Sequence, residues 1–467
     1  MKFLLLNVNS ASLPSKGTKY VKITEAQPLG LLYIGKVLEN EGHDVELVDF
    51  LAEDYYEEKL KKFLYSKDVV GISLDSYSFS EAAQIAKTIK KIDKNIILMI
   101  GGPHCSFYPE KSLIDIPEAD ISIEGEGEQA IKYIARALDG DKSLSEISGI
   151  KYRKNAKILS GKPKKLIDNL DSIPFPARHL VEKYEYGKLG KRYLKRQRFT
   201  SIITTRGCLN KCRFCTSHVV SMNSFRQRSV DNIINELKEI NDKYKSIMIA
   251  DDNFLFNKKR VHKILDKIIE NRLDFDIYIH GARVDTADWD LYKKMKKAGV
   301  TTLFFGIESG NQDVLDFYNK KITLDQIKKA LKISKKMGFN VEGNFIFGAP
   351  IETEKHIKNS IEFACSLPID RVAFSSLQYR YRSDLWFEAF KSGKITKDDG
   401  FSINSDSRRG LGNFTEEELK EYCKKAIKKF YYRPTYLIRQ IFKSIKMKNL
   451  NNLLILLYLR KNYINYN

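Results

Sequence analysis

The sequence predicts an α/β protein in which a doubly wound parallel sheet is followed by a partial (β/α)6 barrel and a helical C-terminal segment. Five short β-rich runs alternate with amphipathic stretches in residues 1–142. Six further β/α units follow in residues 199–412, and residues 413–467 are basic with helical periodicity. Residues 143–198 fit neither pattern and form the predicted linker.

Length and composition support more than one domain. A chain of 467 residues is too long for one ordinary core, and its 43% hydrophobic content is enough to fill two or three. The longest clear apolar run, 453–459, is far shorter than the roughly 18 to 20 residues that cross a bilayer. The first apolar stretch stops at Leu6, which predicts a strand rather than a signal peptide. We therefore expect a cytoplasmic protein.

The first domain is expected to bind a ligand at one edge of its sheet. Its predicted strands lie at 2–8, 45–50, 69–74, 96–100 and 121–123. Such sheets bind ligands beyond the carboxyl ends of their strands. Polar or glycine-rich loops fall at that edge and predict a cofactor site that includes Ser73, Gly101, Gly102, Gly125, Glu126 and Gly127.

The linker and the barrel follow in order. A hairpin is expected around 149–159, and Pro174 and Pro176 fix an extended path after it. Six barrel strands are predicted near 201–205, 246–250, 276–280, 301–305, 341–347 and 371–375. In such barrels the chemistry occurs at the carboxyl ends of the strands. Three cysteines follow the first of these strands directly.

Cys208, Cys212 and Cys215, the loop cysteines, form a C-x-x-x-C-x-x-C segment. This loop supplies three thiolates to a 4Fe-4S cluster and leaves the fourth iron open for another ligand. A zinc loop is the alternative, with His218 as the nearby fourth ligand. Six cysteines are too few for a disulfide framework. The three scattered cysteines are expected to be small buried hydrophobes, namely Cys105, Cys365 and Cys423.

With this spacing and Phe214 before the last cysteine, the segment resembles the radical S-adenosylmethionine (SAM) superfamily. Motifs after the second, fourth and fifth barrel strands continue the resemblance: Asp251-Asp252, Gly306-Ile-Glu308-Ser309-Gly310 and Gly343 to Pro350. The resemblance implies that the open iron takes the amino and carboxylate groups of SAM. An electron, from a donor such as ferredoxin or flavodoxin, then cleaves SAM to methionine and a 5'-deoxyadenosyl radical.

The resemblance also implies roles for individual residues at the SAM site. Asp251 or Asp252 would hold the methionine amino group, and Arg283 is placed to pair with the SAM carboxylate. Glu308, followed by Ser309, is placed to reach the ribose or the methionine. The backbone at Phe214, and from Ile346 to Gly348, would meet the adenine. For each carboxylate a helix cap or a solvated loop position is the alternative.

The first domain resembles the Rossmann-like cobalamin-binding domain that precedes the barrel in one large radical SAM class. The matching segments include Gly101-Gly-Pro-His104, Glu124-Gly-Glu-Gly-Glu128 and Pro174-Phe-Pro176-Ala-Arg178. This class contains the anaerobic magnesium-protoporphyrin monomethyl ester oxidative cyclase and hopanoid-tailoring enzymes. The D-x-H-x-x-G segment is absent, since neither His43 nor His104 has Asp two residues earlier. We therefore expect cobalamin without a histidine lower ligand; a domain that has lost cobalamin is the alternative.

The resemblance implies a radical SAM enzyme that, with cobalamin, modifies an unactivated carbon by methyl transfer, oxidative cyclisation or rearrangement. A methylthiotransferase acting on transfer RNA would suit the basic pI, but that family has three more cysteines in its first domain, where this chain has Cys105. A non-enzymatic corrinoid sensor or carrier would leave the loop cysteines without a purpose. Nucleic acid is therefore not an expected partner.

The C-terminal tail concentrates the positive charge. The net charge is +21, and residues 424–467 contain eleven Lys or Arg and no Asp or Glu. Apolar residues recur there at helical spacing, first Ile438, Ile441, Phe442 and Ile445, then Leu450, Leu453, Leu454 and Leu457. Two interpretations remain open: a helix that closes the side of the barrel, or a segment that contacts an anionic membrane peripherally. The substrate is expected to be a small molecule or a lipid-like compound, and membrane contact would suit the lipid-like one.

Changing any loop cysteine to Ala is expected to abolish cluster binding and SAM cleavage, because a cluster held by three thiolates has no spare ligand. The same change at any scattered cysteine should leave both intact. Iron content and 5'-deoxyadenosine production after anaerobic reconstitution measure the two effects. An equally essential scattered cysteine would instead indicate an auxiliary cluster or a thiyl radical step.

Overall fold

The computed structural model describes residues 1–8, 23–24, 26–189, 192–193 and 198–446. Two large sheets dominate this part of the chain, one in each predicted domain. The first is built from β1 (Lys2–Asn7), β3 (Asp44–Asp49), β4 (Val69–Ser73), β5 (Ile97–Gly101), β6 (Ile121–Ile123), β7 (Ile150–Lys154) and β8 (Lys157–Ser160), whereas β2 (Ile23–Thr24) belongs to a separate small sheet. All five strands predicted for this domain are confirmed.

The strand order of the first sheet is β3-β1-β4-β5-β6-β7-β8, with parallel pairing from β3 to β6. After β1 the chain adds β3 on one side of it, and then adds β4 on the other side. The strand order reverses at this point, so a crevice opens between β1 and β4 at their carboxyl ends. The predicted hairpin is confirmed as β7 and β8. It pairs antiparallel with β6 and thereby extends the sheet beyond residue 142.

Helices cover both faces of the first sheet: α1 (Leu29–Asn40), α2 (Glu57–Leu64), α3 (Phe79–Ile92), α4 (Pro103–Phe107), α5 (Pro109–Asp115) and α6 (Gly127–Leu138). Phe3 and Leu5 of β1 pack in the core with α1 and α6, whereas Leu4 and Leu6 pack in the core with α2 and α3. A strand buried on both faces must be apolar throughout, which explains the unbroken hydrophobic run at the start of the chain.

The second large sheet is entirely parallel. After the short strands β9 (Lys188–Leu189) and β10 (Arg192–Tyr193), it is formed by β11 (Phe199–Ile202), β14 (Ser246–Ile249), β15 (Asp276–Ala282), β16 (Val300–Glu308), β17 (Asn340–Phe347) and β18 (Arg371–Ser376), in that order. These are the six predicted barrel strands. The first ends at Ile202, earlier than expected, because the chain turns there and forms the hairpin of β12 (Thr205–Arg206) and β13 (Arg226–Gln227).

Eight helices that the structure describes pack around this sheet: α7 (Ser217–Ser221), α8 (Val230–Ile240), α9 (Lys258–Glu270), α10 (Trp289–Lys297), α11 (Gln312–Phe317), α12 (Leu324–Lys336), α13 (Glu354–Ser366) and α14 (Asp384–Lys391). A small antiparallel ribbon follows β18, formed by β19 (Gln378–Arg380) and β20 (Ser402–Asn404). The open arrangement matches the predicted partial (β/α)6 barrel.

Two helices, α15 (Glu416–Tyr432) and α16 (Pro434–Lys446), close the side of the barrel. Tyr431 of α15 donates from its hydroxyl to the Val372 carbonyl at 3.0 Å, and Tyr436 of α16 donates to the Asp370 carbonyl at 2.7 Å. The predicted stripe beyond Lys446 lies outside the described residues. Within the described ranges, none of the helices combines the length and the apolar character needed to cross a bilayer.

A buried carboxylate fixes the linker to the barrel. Glu236 on α8 is 1% exposed and accepts from Arg178 of the linker at 2.5 Å and from Arg228. Arg178 also donates to Thr200 on β11, whose hydroxyl donates to Gln27 at 2.6 Å. A buried charge tolerates few geometries because each partner must satisfy it. The network therefore sets how the residues before α1 and the linker lie against the barrel.

Candidate functional site

A cavity of about 540 Å³ opens where the carboxyl ends of the two sheets face each other. One wall comes from the loops after β4, β5 and β6 and contains all the residues predicted for the cofactor site of the first domain: Ser73, Gly101, Gly102, Gly125, Glu126 and Gly127. The barrel contributes the opposite wall, including Arg206, Gly207, Ser217 and Asp252. The cavity thus lies between the predicted cobalamin edge and the cysteine loop.

Glycine forms much of the first-domain wall, at positions 30, 71, 101, 102, 125 and 127. Gly102 has φ +109°, and a Cβ there would lie 2.9 Å from the Leu74 carbonyl oxygen. A Cβ at Gly127 would lie 2.9 Å from the Ile34 side chain. Packing within the wall therefore requires glycine at these two positions. A wall so rich in glycine presents few side chains to the cavity, which fits a large flat ligand such as a corrin ring at the sheet edge.

The two histidines considered as cobalt ligands do not line this cavity. His43 lies before β3, at the amino end of the sheet, 3.3 Å from the Met1 amino group. His104 is buried against Phe79 and Tyr108 and hydrogen-bonds the Ser76 hydroxyl at 2.9 Å; burial lowers the pKa of its imidazole to about 4. The geometry agrees with a cobalamin site that has no histidine lower ligand.

The loop cysteines follow β12, and Gly207 shapes the entry to their loop. Gly207 has φ +90°, and a Cβ there would lie 2.1 Å from the Ser224 carbonyl oxygen, so only glycine fits. Asn210 Nδ2 donates to Cys208 Sγ at 3.3 Å, and the Ser217 backbone N–H donates to Cys215 Sγ at 3.5 Å. Such donors stabilise thiolate sulfur, which fits the ligands of an iron–sulfur cluster.

The described residues contain no group of three or more His, Cys, Asp or Glu arranged to hold a single metal ion. Of the scattered cysteines, Cys105 and Cys423 are buried as expected. Cys365 is only partly buried, with Arg433 at 3.8 Å, so that prediction was too strong for this residue.

Asp251 and Asp252, adjacent in sequence, have different environments. Asp251 is 1% exposed and accepts from the Thr204 backbone N–H at 2.6 Å and from its hydroxyl at 2.5 Å. Burial raises the pKa of Asp251 despite these donors. Asp252 is exposed, lines the cavity and accepts from the Ser217 hydroxyl at 2.7 Å, two residues after Cys215. Of the two, Asp252 is therefore the one placed to meet a ligand.

Glu308 ends β16 in a strained backbone conformation, with φ +67°, and is 3% exposed. Lys320 Nζ donates to Glu308 Oε1 at 2.6 Å, and Asn344 Nδ2 donates to Glu308 Oε2 at 2.9 Å. A Cβ at Gly306 would lie 2.5 Å from Glu308 Oε1 and 2.7 Å from Lys320 Nζ, so the pair requires glycine there. Strain of this kind is typical of functional positions.

Lys320 is a site residue that the sequence did not reveal. It is 9% exposed, and its Nζ lies 5.9 Å from the ring centre of Phe214, beside the last loop cysteine. Burial raises the pKa of the Cys212 thiol, and the charges of Lys320 and Arg283 act against that rise. Lys320 stands in no recognisable motif, and only its buried partner Glu308 identifies it.

Arg283, predicted to pair with the SAM carboxylate, already has partners. Its guanidinium donates to both oxygens of Asp285 and to the Lys320 carbonyl at 3.0 Å. Burial opposes its charge, but Asp285 and the nearby Cys212 and Cys208 raise the pKa of Arg283. Its place near these sulfurs suits the predicted role, which stays a prediction.

Two of the residues predicted to meet adenine, Phe214 and Ile346, pack against one apolar cluster, which includes Tyr318 and Ala349. The Phe214 and Tyr318 rings meet edge to face with centroids 5.2 Å apart. Gly348 has both backbone groups engaged, since its N–H donates to Glu352 at 2.6 Å and its carbonyl accepts from Ser405 at 2.7 Å. Phe214 and Ile346 therefore remain the better placed of the three.

Two predicted cofactor residues have other partners in the structure. Ser309 is fully buried, and its hydroxyl contacts Ser360 at 3.2 Å and accepts from the Asn311 backbone at 3.2 Å. Glu126 lines the cavity, but its carboxylate is held by cations from the barrel. The polar atoms of both side chains already have protein partners, and their roles at the cofactor sites stay predictions.

The carboxylate of Glu126 belongs to an ion-pair clasp, formed by Glu126 and Glu128 of the first domain with Arg206 and Arg226 of the barrel. Arg226 donates to both oxygens of Glu126 at 2.8 Å, and Arg206 donates to Glu126 at 3.0 Å and to Glu128. Burial acts to raise the pKa of Glu126, but Arg226 and Arg206 hold it below its usual value. Arg206 precedes Cys208 by two residues, so the clasp joins the two walls of the cavity at the cysteine loop.

Aromatic residues make a second contact between the first domain and the barrel. Tyr108 of the first domain stacks on Tyr381 with ring centroids 4.3 Å apart. Tyr77 donates from its hydroxyl to Gln378 of β19 at 2.9 Å. The segment after the sixth barrel strand is thus held against the first domain.

Comparisons with known proteins agree with both halves of this site. Residues 202–364 match the model of the radical SAM superfamily, and residues 24–135 match that of the B12 binding domain. The chain is 34% identical over 429 residues to a protein of Pyrococcus horikoshii described as an uncharacterized methyltransferase, covering 91% of this chain and 92% of that one. It is 26% identical to the cytidylyl-2-hydroxyethylphosphonate methyltransferase of Streptomyces wedmorensis, with 87% and 86% covered.

A third relative and a solved structure complete the comparison. The anaerobic magnesium-protoporphyrin IX monomethyl ester cyclase of Rubrivivax gelatinosus is 25% identical, with 72% of this chain and 61% of the cyclase covered. The structure of OxsB, a cobalamin-dependent SAM radical enzyme with aqua-cobalamin bound, superposes with a TM-score of 0.72 at 17% identity. That likeness covers 99% of this chain and 76% of OxsB, and it shows the shared fold.

Asp252→Asn is expected to leave the fold intact and weaken SAM binding. Asp251→Asn should destabilise the protein by about 2 kcal/mol, because Asn keeps one acceptor for Thr204 but replaces the second carboxylate oxygen by an NH2 group, which cannot accept from the Thr204 hydroxyl. Anaerobic calorimetric titration with SAM and thermal unfolding measure the two effects. Unchanged SAM affinity in Asp252→Asn, with reduced affinity in a normally stable Asp251→Asn, would reverse the assignment.

Lys320→Met is expected to lower the unfolding temperature, because a buried Glu308 without its cation is costly, and to weaken SAM binding about tenfold or more, because Glu308 is no longer held in the position from which it would meet SAM. Lys320→Arg should restore part of the loss. Lys321→Met is the matched control, since its neighbour Lys321 is exposed and should not affect binding. Equal dissociation constants for Lys320→Met and the unchanged protein would contradict the role of Lys320.

Proposed function

Because the chain belongs to the radical SAM enzymes that carry a cobalamin-binding domain, we propose that it transfers a methyl group to an unactivated carbon of its substrate. The cavity between the two sheets carries this proposal. The glycine-lined edge of the first domain forms one wall, and Gly207 and Ser217, which flank the cysteine loop, lie on the other together with Asp252. Both predicted cofactor sites would therefore adjoin the same cavity.

When bound, the cluster and SAM supply a 5'-deoxyadenosyl radical, and cobalamin supplies the methyl group. The chain's own residues orient these parts. The loop cysteines would hold the cluster, and Asp252 would meet the amino group of SAM. The Glu308–Lys320 pair, at the end of β16, would hold the ribose or the methionine part of SAM. The apolar packing of Phe214 and Ile346 would exclude water from the adenine side.

Methyl transfer is favoured over cyclisation by the share of each relative's length that this chain matches. The two methyltransferases named above match this chain nearly from end to end, with 92% and 86% of their own lengths covered. The cyclase is covered over 61% of its length. Oxidative cyclisation or rearrangement remains the second candidate, because it begins with the same hydrogen abstraction.

The remaining alternatives have less support. A tRNA methylthiotransferase would need further cysteines in the first domain, yet residues 1–142 contain only Cys105, which is fully buried. A corrinoid carrier would not need the barrel half of the cavity. We also propose a one-electron donor such as ferredoxin or flavodoxin, and the net charge of +21 would favour an acidic one.

The test distinguishes methyl transfer from cyclisation by the fate of SAM. The protein is reconstituted anaerobically with iron, sulfide and cobalamin, reduced, and supplied with SAM and a cell extract as the source of substrate. Methyl transfer requires both S-adenosylhomocysteine, left when SAM gives up its methyl group, and 5'-deoxyadenosine. Omitting cobalamin should remove the first product, and Cys212→Ala should remove the second.

Two outcomes would contradict the proposal. Formation of 5'-deoxyadenosine without S-adenosylhomocysteine would favour cyclisation or rearrangement. Formation of neither product by protein that holds its full complement of iron would remove the enzyme interpretation altogether.

A further inference from the structure

Helix α16 has two faces of different character. One face holds it to the barrel, where Tyr436 is 1% and Gln440 is 5% exposed. The other face carries Ile438, Ile441, Phe442 and Ile445, the exposed apolar face, whose members are between 46% and 69% exposed. The sequence pattern alone allowed this stripe to be core, and the structure shows that the opposite side of the helix is the buried one.

The exposed apolar face lies within the most basic part of the chain. Residues 424–467 contain eleven Lys or Arg and no Asp or Glu. Lys425 and Lys429 have acidic partners, Glu421 and Glu362, but both pairs lie among well-exposed side chains and are easily exchanged for other anions. The segment therefore combines large apolar side chains in water with a positive field.

We propose that α16 docks the protein peripherally on an anionic lipid bilayer, with the exposed apolar face entering the headgroup boundary. Apolar side chains that insert shallowly and basic side chains that meet anionic headgroups act together in such helices. The proposal is independent of the reaction catalysed at the cavity.

Other occupants fit the observations less well. A second copy of the chain would bring two strongly basic segments together, and their repulsion would oppose association. Nucleic acid would meet the charge, and Phe442 could stack on an unpaired base, but the three isoleucines of the face would stay in water. An anionic bilayer satisfies both features at once.

The test compares the full chain with two variants in vesicle flotation. Vesicles of phosphatidylcholine with phosphatidylglycerol are the anionic probe, and pure phosphatidylcholine vesicles are the neutral one. The face variant replaces all four members of the exposed apolar face by Ser. The control variant carries Tyr65→Ser and Ile114→Ser, which remove apolar side chains that are 83% and 58% exposed in the first domain.

We expect the full chain and the control variant to float with anionic vesicles, less so at high salt, and not with neutral ones. The face variant should bind the anionic vesicles about tenfold or more weakly, with unchanged iron content and thermal unfolding. Because its replaced side chains are exposed, the variant is expected to fold.

Several results would overturn the proposal. These are no flotation with either vesicle, equal flotation with both, or full binding by the face variant. A lower unfolding temperature of the face variant would mean that the chain itself covers the face. A dimer that the full chain forms in sedimentation and the face variant does not would assign the surface to a second copy. Displacement of the protein from vesicles by RNA, to the same extent for the face variant and the control variant, would assign it to nucleic acid.

Discussion

The ion-pair clasp of Glu126 and Glu128 with Arg206 and Arg226 is the interaction on which the site depends. Each of the two sheets presents ligands at the carboxyl ends of its strands, so a shared cavity forms only if these edges face each other. The clasp joins the edges directly, and Arg206 stands two residues before Cys208. A buried pair of this kind adds little net stability, because the cost of removing the charges from water offsets their attraction, but losing one partner is strongly destabilising.

The rest of the site follows from the same requirement for fixed buried charge. Glu236 holds the linker by two arginines, and Glu308 is held by Lys320 and Asn344 at the end of β16. In each case a carboxylate that would be costly to bury alone has two donors. These two buried carboxylates thus lie where elements of the fold meet, one between the linker and the barrel and one at the end of a barrel strand.

The sequence predicts the architecture well because parallel strands buried on both faces leave continuous hydrophobic runs, and glycine-rich loops mark their carboxyl ends. It also locates the cysteine loop, whose ligands are consecutive in the chain. The sequence could not decide which of Asp251 and Asp252 meets SAM. The two residues are adjacent after the same strand, and they differ only in the side chains that the fold places beside them. Lys320 and Arg226 were missed for a related reason: their partners are distant in sequence, and no local pattern marks a lysine or arginine as buried. Helix α16 shows the limit of periodicity. The pattern locates an apolar stripe, but it does not tell which side of the helix is buried, the side on which Tyr436 donates to the Asp370 carbonyl.

The position of Arg206 has a consequence for how the two predicted cofactor sites would bind. The clasp joins the glycine-lined edge to the segment that leads into the cysteine loop, so a cofactor that bound more tightly to the clasped arrangement at one wall would favour the same arrangement at the other. Such coupling is reciprocal: whatever affinity cobalamin gains from an assembled cluster, the cluster side gains equally from bound cobalamin. Occupancy of one site would then change the affinity of the other, and the connection between the two sites would be the short segment from Arg206 to Cys208.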